Sequence, residues 1–116
     1  MRCMEIKTKN NFKGLYASKE FELNYKIHKL DGEIRSKPTK ITIEIAYKRH
    51  IIDSYGMYMN HSFDPSCKII EGYIIAIQYI KKGEELTYNY NESETKLAYP
   101  FKDNITGELI SGMKVE

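Results

Sequence analysis

The sequence predicts one mostly β domain with little helix, and two observations lead to that prediction. Short runs of residues alternate between apolar and polar side chains, which is the period of a half-buried β-strand. Glycine, asparagine and proline residues separate these runs, and they are typical of tight turns. The 116 residues, 41% of them hydrophobic, are enough for a single domain with one modest core.

The first half of the chain predicts a hairpin followed by separate strands. Met4–Thr8 alternates like an edge strand, and Asn10-Asn11 marks the turn after it. The strict alternation of Ile41–Ile45 predicts a strand with its isoleucines inward. Tyr47–Tyr58 has no clean period, which predicts a short helix or an irregular segment.

The second half predicts a loop, a hairpin and a final strand. The polar segment Met59–Cys67 is expected to be a loop. Lys68–Ile80 is the clearest hairpin in the sequence, with Glu71-Gly72 as its turn. Lys81-Lys82-Gly83 then turns the chain into a strand over Glu84–Tyr90.

The balance of charge does not indicate nucleic acid as a partner. The formal net charge is only +2, and the basic cluster Lys48-Arg49-His50 is expected to be a solvated face. No run approaches the roughly 18 apolar residues of a membrane span, and the N-terminus lacks a signal-peptide core. We therefore expect a soluble, intracellular protein with no membrane contact, cytoplasmic or, if it acts on eukaryotic chromatin, nuclear.

A metal site built from cysteine is not indicated either. Cys3 and Cys67 are the only cysteines and lack Cys-x-x-Cys spacing, so they cannot form a Cys-rich zinc site. We expect two reduced thiols, although the spacing also allows a disulfide between them.

Two stretches carry the residues suited to chemistry. Tyr58-Met59-Asn60-His61-Ser62-Phe63-Asp64-Pro65 is a polar loop closed by proline, and Gly83-Glu84-Glu85-Leu86-Thr87-Tyr88-Asn89-Tyr90 is a charged turn that runs into an aromatic strand end. Taken singly, such residues are turn formers, a loop histidine and strand aromatics. In this order and spacing they resemble the signature motifs of the SET-domain lysine methyltransferases, roughly Asn-His-Ser-Cys-Asp-Pro-Asn and Gly-Glu-Glu-Leu-Thr-Tyr-Asp-Tyr.

The resemblance spans residues 13–90, because two earlier groups of residues fit the same register. They are Gly14-Leu15-Tyr16-Ala17, followed by Phe21, and Gly32-Glu33 in the segment Ile27–Ile34, over which the resemblance implies a strand. Four of the departures from the family pattern bear on its role. Phe12 replaces a first glycine, Leu30 replaces an active-site tyrosine, Ser66 replaces a final asparagine, and Asn89 replaces an aspartate.

The resemblance implies a fold and a domain organisation. It implies a SET-domain fold of short strands in several small sheets, with little helix and a C-terminal pseudoknot that brings the two stretches together. Residues 1–116 are then a single SET domain, and 91–116 is a post-SET-like tail. Because this tail has no cysteine, it cannot hold the zinc that many relatives bind there.

The resemblance also implies transfer of a methyl group from S-adenosyl-L-methionine to a lysine amine, with no metal. Tyr90 takes the position of the catalytic tyrosine close to the transferred methyl group. Tyr88 takes the position that limits how many methyl groups fit, and its hydroxyl predicts mainly monomethylation.

Cofactor contacts are implied at both ends of the matched region. Asn60 is expected to bind the amino acid end of the cofactor, and the backbone of His61 to meet the adenine. A glycine turn at Lys13, Gly14, Leu15 and Tyr16 would let the backbone approach the methionine part. Phe101, with Tyr99 as second choice, is expected against the adenine ring; alternatively this tail only packs on the sheet.

The expected partner is a protein or peptide that carries a lysine, such as a histone or another basic protein. The peptide could add as a strand beside the Tyr90 edge, and Glu84 and Glu85 could attract it or simply form a solvated turn. Oligomeric state is open, and a homodimer is possible. The alternative function is a SET-fold module that binds protein or cofactor without turnover. His28 is a weak candidate base, because a histidine on an alternating strand is more often just half-exposed.

Overall fold

The computed structural model describes residues 3–39, 41–46 and 49–93, together with the backbone of the strand pair 101–102 and 109–110. Within these residues twelve short strands form five small sheets, and helix is limited to the 3₁₀ turn Gly56–Tyr58 and the single α-helical turn Tyr90–Ser93 (α1). The predicted mostly β architecture is therefore confirmed. The strands are β1 Met4–Lys9, β2 Phe12–Ala17, β3 Lys26–Lys29, β4 Gly32–Arg35, β5 Ile43–Ala46, β6 Arg49–Asp53, β7 Asn60–His61, β8 Cys67–Ile70, β9 Tyr73–Ala76, β10 Thr87–Tyr88, β11 Phe101–Lys102 and β12 Leu109–Ile110.

The β1–β2 hairpin turns where the sequence predicted, at Asn10-Asn11. Both residues have positive φ, 50° and 69°, which asparagine tolerates better than most residues. The glycine turn expected just beyond is wrong, however, because Gly14 lies inside β2 and pairs with Lys7. The hairpin reverses at the asparagines, so the chain is already extended when it reaches Gly14.

The predicted hairpin around Glu71-Gly72 is confirmed as β8–β9, and it forms a sheet with β3. Both turn residues have positive φ, 50° and 80°, as a tight hairpin turn requires. The second strand is shorter than predicted, since β9 ends at Ala76 and Ile80 makes only an isolated bridge to Phe21.

The single strand predicted over Ile27–Ile34 is wrong, because it is two strands in different sheets. β3 pairs with β9, whereas β4 pairs with β6. Gly32 begins β4 with φ +153°, and an added Cβ would overlap the carbonyl oxygen of Ile52. The chain therefore changes sheets at a residue whose backbone only glycine can follow.

The irregular segment predicted over Tyr47–Tyr58 contains the central strand β6 of the β4-β6-β5 sheet. Its buried residues include two polar ones, His50 and Asp53. Because buried positions of a strand are expected to be hydrophobic, the alternation of apolar and polar residues did not predict this strand. The expected solvated face at 48–50 is thus wrong for His50. The neighbouring strand is also shorter than predicted, because Ile41 lies in a turn and is 38% exposed.

The Asp53 side chain joins the end of β6 to the residue that precedes β4 and to the turn that follows β6. Its carboxylate accepts N–H bonds from Asp31 at 3.0 Å, Tyr55 at 3.0 Å and Gly56 at 2.7 Å. It also pairs with Nε2 of His28 at 2.9 Å. Burial alone would raise the pKa of Asp53, but the bonds from Asp31, Gly56 and His28 outweigh it and hold the pKa below its ordinary value. His28 is therefore engaged in a structural pair.

One hydrophobic core lies between the small sheets. Leu30, which replaces a tyrosine of the family pattern, belongs to this core and packs against Gly56. The largest of the fully buried side chains are Leu15, Phe21, Ile43, Cys67, Ile74, Ile80 and Leu86. Burying each large apolar side chain contributes roughly 1.5–3 kcal/mol. In the described part of the chain, no helix is long and apolar enough to cross a membrane.

Candidate active site

The two motif stretches meet in one short parallel pairing. Asn60 pairs with Thr87, and His61 pairs with Tyr88, so β7 lies beside β10. The Ser62 amide extends the contact by donating to the Tyr88 carbonyl at 3.1 Å. Every other strand pairing in the described residues is antiparallel. Parallel strands cannot be joined by a tight hairpin, so the residues between β7 and β10 make a longer crossover connection.

Ser66 fastens this pairing from the far end of the loop. Its hydroxyl accepts the Thr87 amide at 3.1 Å and donates to the Glu85 carbonyl at 2.9 Å. The Ser66 amide in turn donates to the Thr87 hydroxyl at 3.2 Å. The serine that departs from the family pattern is thus buried and fully bonded, a role that its position in a polar loop did not reveal.

Tyr90 is held at three points around the junction. Its hydroxyl donates to the Met59 carbonyl at 2.6 Å, and its amide donates to Nδ1 of His61 at 3.1 Å. Its ring centroid lies 5.2 Å from that of His61 and 4.8 Å from that of Tyr88. Because Nδ1 accepts, the neutral His61 ring carries its proton on Nε2.

The local chain conformation sets the direction of these aromatic residues. The sequence predicted a strand through Tyr90, but the strand ends at Tyr88 and Tyr90 begins α1. Asn89 causes the change, since its side-chain oxygen accepts the Asn91 amide at 2.9 Å, as a helix-capping residue does. The Tyr88 side chain stays buried with 3% exposure.

A second group of site residues forms where β2 passes the Glu84–Leu86 segment. The Leu86 amide donates to the Leu15 carbonyl at 2.7 Å, and Tyr16 forms a bridge with Glu85. Nδ2 of Asn60 completes the group by donating to the Lys13 carbonyl at 3.1 Å and to Oε2 of Glu85 at 2.8 Å.

Gly14 makes this close approach possible. A Cβ at this position would lie 2.8 Å from Oε2 of Glu85 and 3.1 Å from Nδ2 of Asn60. Contacts that short require a neighbour to move. Gly14 therefore serves close packing within a strand, and the approach of its backbone to the cofactor stays a prediction.

Tyr16 lines the same group, and charges of both signs surround its ring. The ring is buried, and burial followed by the Glu85 carboxylate raises the pKa of its hydroxyl. Nζ of Lys9 lies 4.4 Å from the ring centroid, and Nζ of Lys7 lies 5.8 Å from it. Basic and acidic groups thus approach one aromatic surface.

The structure brings most of the sequence-predicted residues into these two neighbouring groups. Lys13, Gly14, Tyr16 and Asn60 lie in one, and His61, Tyr88 and Tyr90 lie in the other. Leu15 joins them through its backbone alone, since its side chain is fully buried in the core. The side chain of Phe101 and all of Tyr99 lie outside the described residues.

Sequence reasoning did not separate Glu85 from Glu84. The Glu84 carboxylate accepts the Lys81 amide at 2.9 Å and remains on the exposed turn, whereas Glu85 reaches Asn60. Bridge pairing with Tyr16 directs Glu85 inward, and no local pattern predicts that pairing. The described residues contain no group of three or more possible ligands for a metal ion.

Comparison with known proteins agrees with this geometry. The family model described as SET domain matches residues 3–91, so the chain belongs to the SET domain family, whose members are in general protein-lysine methyltransferases. A chain from a humanized mutant of the Chaetomium thermophilum Polycomb Repressive Complex 2, bound to the inhibitor GSK126, has a similar fold with a TM-score of 0.60. The two chains are 18% identical, and the match covers 97% of this chain but only 19% of that one. A search of curated proteins finds no match.

The predicted SET-domain fold is therefore confirmed by the family match and the structural similarity. At 18% identity the structural similarity shows the fold alone. Substrate and activity have to be argued from this chain's own residues.

Proposed function

We propose that this chain is an S-adenosyl-L-methionine-dependent protein-lysine N-methyltransferase that transfers mainly one methyl group. The pairing of β7 with β10 carries the proposal, because it sets Asn60 and His61 directly beside Tyr88 and Tyr90. Membership of the SET domain family supports the reaction class.

The residues present fit the cofactor. The missing Cβ at Gly14 lets the Glu85 carboxylate and the Asn60 amide come close to the backbone, and the Lys13 carbonyl lies beside them, so groups that bind an amino acid are gathered here. We assign Asn60, Lys13, Gly14, Leu15 and Tyr16 to the amino acid end, with Leu15 acting through its backbone. When bound, S-adenosylmethionine would supply a sulfonium methyl group: the neutral lysine amine would form a bond to the methyl carbon in line as the carbon–sulfur bond breaks, so that a neutral thioether leaves and the methylated nitrogen carries the positive charge.

The adenine end is assigned to the His61 backbone and, on the resemblance alone, to Phe101. The His61 ring is held in place by a hydrogen bond from the Tyr90 amide and by an edge contact with Phe63, whose ring centroid lies 4.5 Å from its own. A rigid residue loses less conformational entropy when a ligand binds.

Tyr90 and Tyr88 are assigned to the amine of the substrate lysine. A free lysine has a pKa near 10.4, and a narrow aromatic surrounding disfavours its charged form. Because the Tyr90 hydroxyl donates to the Met59 carbonyl, its oxygen is oriented to accept an N–H bond from the amine. That bond would direct the nitrogen lone pair, and orientation of this kind supplies much of the rate in such transfers.

The proposed substrate is a lysine on a protein or peptide, with histones and other basic proteins as the first candidates. The similar structure comes from a protein complex, which fits a protein substrate or partner. Leu30 in the core favours the alternative of a binding module, since the hydroxyl expected at that position is absent. One experiment separates the two functions.

The test is transfer of labelled methyl groups from S-adenosylmethionine to lysine-rich peptides and mixed basic proteins at about pH 8–9. The native chain should incorporate label, and Tyr90→Phe should lower the rate by about 100-fold, as loss of one positioned hydroxyl does. Tyr79→Phe is the matched control, because Tyr79 is 48% exposed and outside both groups.

Binding and folding are measured on the same samples. Tyr90→Phe also removes the bond to Met59, so its thermal unfolding and cofactor binding must stay close to native for the rate to be interpreted. Cofactor binding without transfer by the native chain would establish the binding module instead. If the native chain neither binds the cofactor nor transfers the methyl group, the proposed function is overturned.

A further inference from the structure

Glu85 is the one acidic side chain in the described residues that is directed into the Gly14 group. Its Oε2 accepts from Asn60 at 2.8 Å, and the space beside that oxygen exists because residue 14 has no Cβ. The adjacent Glu84 has the same side chain but caps the 81–83 turn. The two glutamates thus provide an internal comparison between a site residue and a turn residue.

The orientation of the Asn60 amide follows from its partners. The Lys13 carbonyl and the Glu85 carboxylate are both acceptors, so the NH₂ group must face them. The Asn60 side-chain oxygen consequently points the other way. The acceptors that converge on this point are the Glu85 carboxylate and the Lys13 backbone carbonyl, and one donor group now serves both. Such a set suits a cationic donor with several N–H groups.

Positive charge lies near the aromatic ring of Tyr16. Nζ of Lys7 and of Lys9 lies within 5.8 Å of the ring centroid, and the Tyr16 backbone forms a bridge with Glu85. An α-amino acid group carries an ammonium and a carboxylate one carbon apart. The acceptor set next to a basic edge therefore matches the zwitterionic end of an amino acid better than it matches a simple cation.

We propose that Glu85 binds the α-ammonium group of S-adenosylmethionine, beside Gly14, where the missing Cβ allows the carboxylate its present position. The inference rests on the proposed function and names the group that recognises one end of its cofactor. The Lys13 carbonyl shares the ammonium with Glu85, because both acceptors now bind the Asn60 NH₂ group that the ammonium would replace. Glu85 is a binding residue and takes no part in the methyl transfer itself.

Titration calorimetry on the native chain and its variants tests this assignment with two ligands. S-adenosylhomocysteine contains the α-ammonium, whereas 5′-methylthioadenosine lacks the whole amino acid end. Glu85→Gln should lower the affinity for S-adenosylhomocysteine about tenfold or more, because a charged hydrogen-bond partner is lost. Its affinity for 5′-methylthioadenosine should stay the same. Glu84→Gln, the matched control, should leave both affinities unchanged. Glu85→Asp retains the charge and should recover part of the lost affinity.

Each other outcome identifies what is wrong. Unchanged S-adenosylhomocysteine binding by Glu85→Gln overturns the inference and leaves the proposed function intact. An equal loss of affinity for both ligands, or no recovery of affinity by Glu85→Asp, overturns it too. Glu85 would then affect binding only by stabilising the folded structure. If the native chain binds neither ligand, the proposed function fails first and the inference fails with it. Thermal unfolding of each variant shows whether it is folded.

Discussion

Single residues explain how the site tolerates departures from its family pattern. Asn89 retains an oxygen for the Asn91 amide, so the capping bond survives the replacement of aspartate. Ser66 makes three hydrogen bonds, to Thr87 and Glu85, that hold the two stretches together. Leu30 has the largest consequence, because it replaces a polar hydroxyl with a core contact.

We propose that Tyr88 limits how many methyl groups the site adds. Its ring is almost fully buried against Tyr90, and in the proposed role its hydroxyl occupies the volume that a second methyl group would need. We expect Tyr88→Phe to retain the first methylation within about threefold, since the ring still packs, and to add di- and trimethylated product. Mass spectrometry of a single-lysine peptide after prolonged reaction measures the distribution.

Tyr79→Phe serves again as the control and should give the native distribution of methyl states. A monomethylated product alone from Tyr88→Phe would contradict the role assigned to that hydroxyl. The result would then place the limit on methylation at another residue.

Among the elements, β7 and β10 have only two residues each and could not form a stable pair alone. Their pairing depends on side-chain bonds from Ser66 at one end and from Tyr90 at the other. The active-site junction is therefore assembled by tertiary contacts, and small changes in these two residues should affect both stability and activity.

Asp53 performs a similar task for the β4-β6-β5 sheet, and the effect should depend on pH. Its pKa is lowered in the folded chain, so the stability it contributes is present above the unfolded pKa and lost as pH falls through the folded one. We expect the free energy of unfolding to decrease as pH falls below about 4. Asp53→Asn should lower the free energy of unfolding by roughly 2–3 kcal/mol at pH 7. It should also remove the part of the acid-induced decrease in that free energy that Asp53 causes.

Urea unfolding at several pH values measures both effects. Asp31→Asn is a suitable control, because Asp31 is exposed and contacts Asp53 through its backbone amide. Equal acid sensitivity in the native chain and in Asp53→Asn would show that other carboxylates dominate.

For the whole molecule, the five small sheets share one core, so the described residues should open cooperatively. Cys67 reports on that opening. Its side chain has no exposure, and burial, partly offset by bonds with Ser66 and Thr87, raises the pKa of the thiol to about 11. Cys3 is half-buried at the margin of the same core.

We expect iodoacetamide at pH 8 to modify Cys3 first and Cys67 roughly 100-fold more slowly, because a buried thiol reacts only when the chain opens. Mass spectrometry over time follows both sites, and Cys3→Ser isolates the slow one. Denaturant should make the two rates similar. Equally fast labelling of Cys67 in native buffer would contradict a single tight core, and a disulfide would appear as no labelling at all.

The sequence alone determined the mostly β class, the turns at Asn10-Asn11 and Glu71-Gly72, and the two motif stretches. These features depend on neighbouring residues. The two turns need positive φ, which asparagine and glycine accept readily and which Glu71 adopts beside Gly72, and a motif is a fixed local order. The spacing of the motifs was sufficient for the family, which the match over residues 3–91 confirms.

Only the tertiary structure decided which residues face the site and where strands change sheets. Gly32 divides one predicted strand because the Ile52 carbonyl lies against it, and β6 exists although it buries His50 and Asp53. Glu85 differs from Glu84 solely through its pairing with Tyr16. Each of these outcomes depends on a partner distant in the chain, and a distant partner leaves no trace in local periodicity.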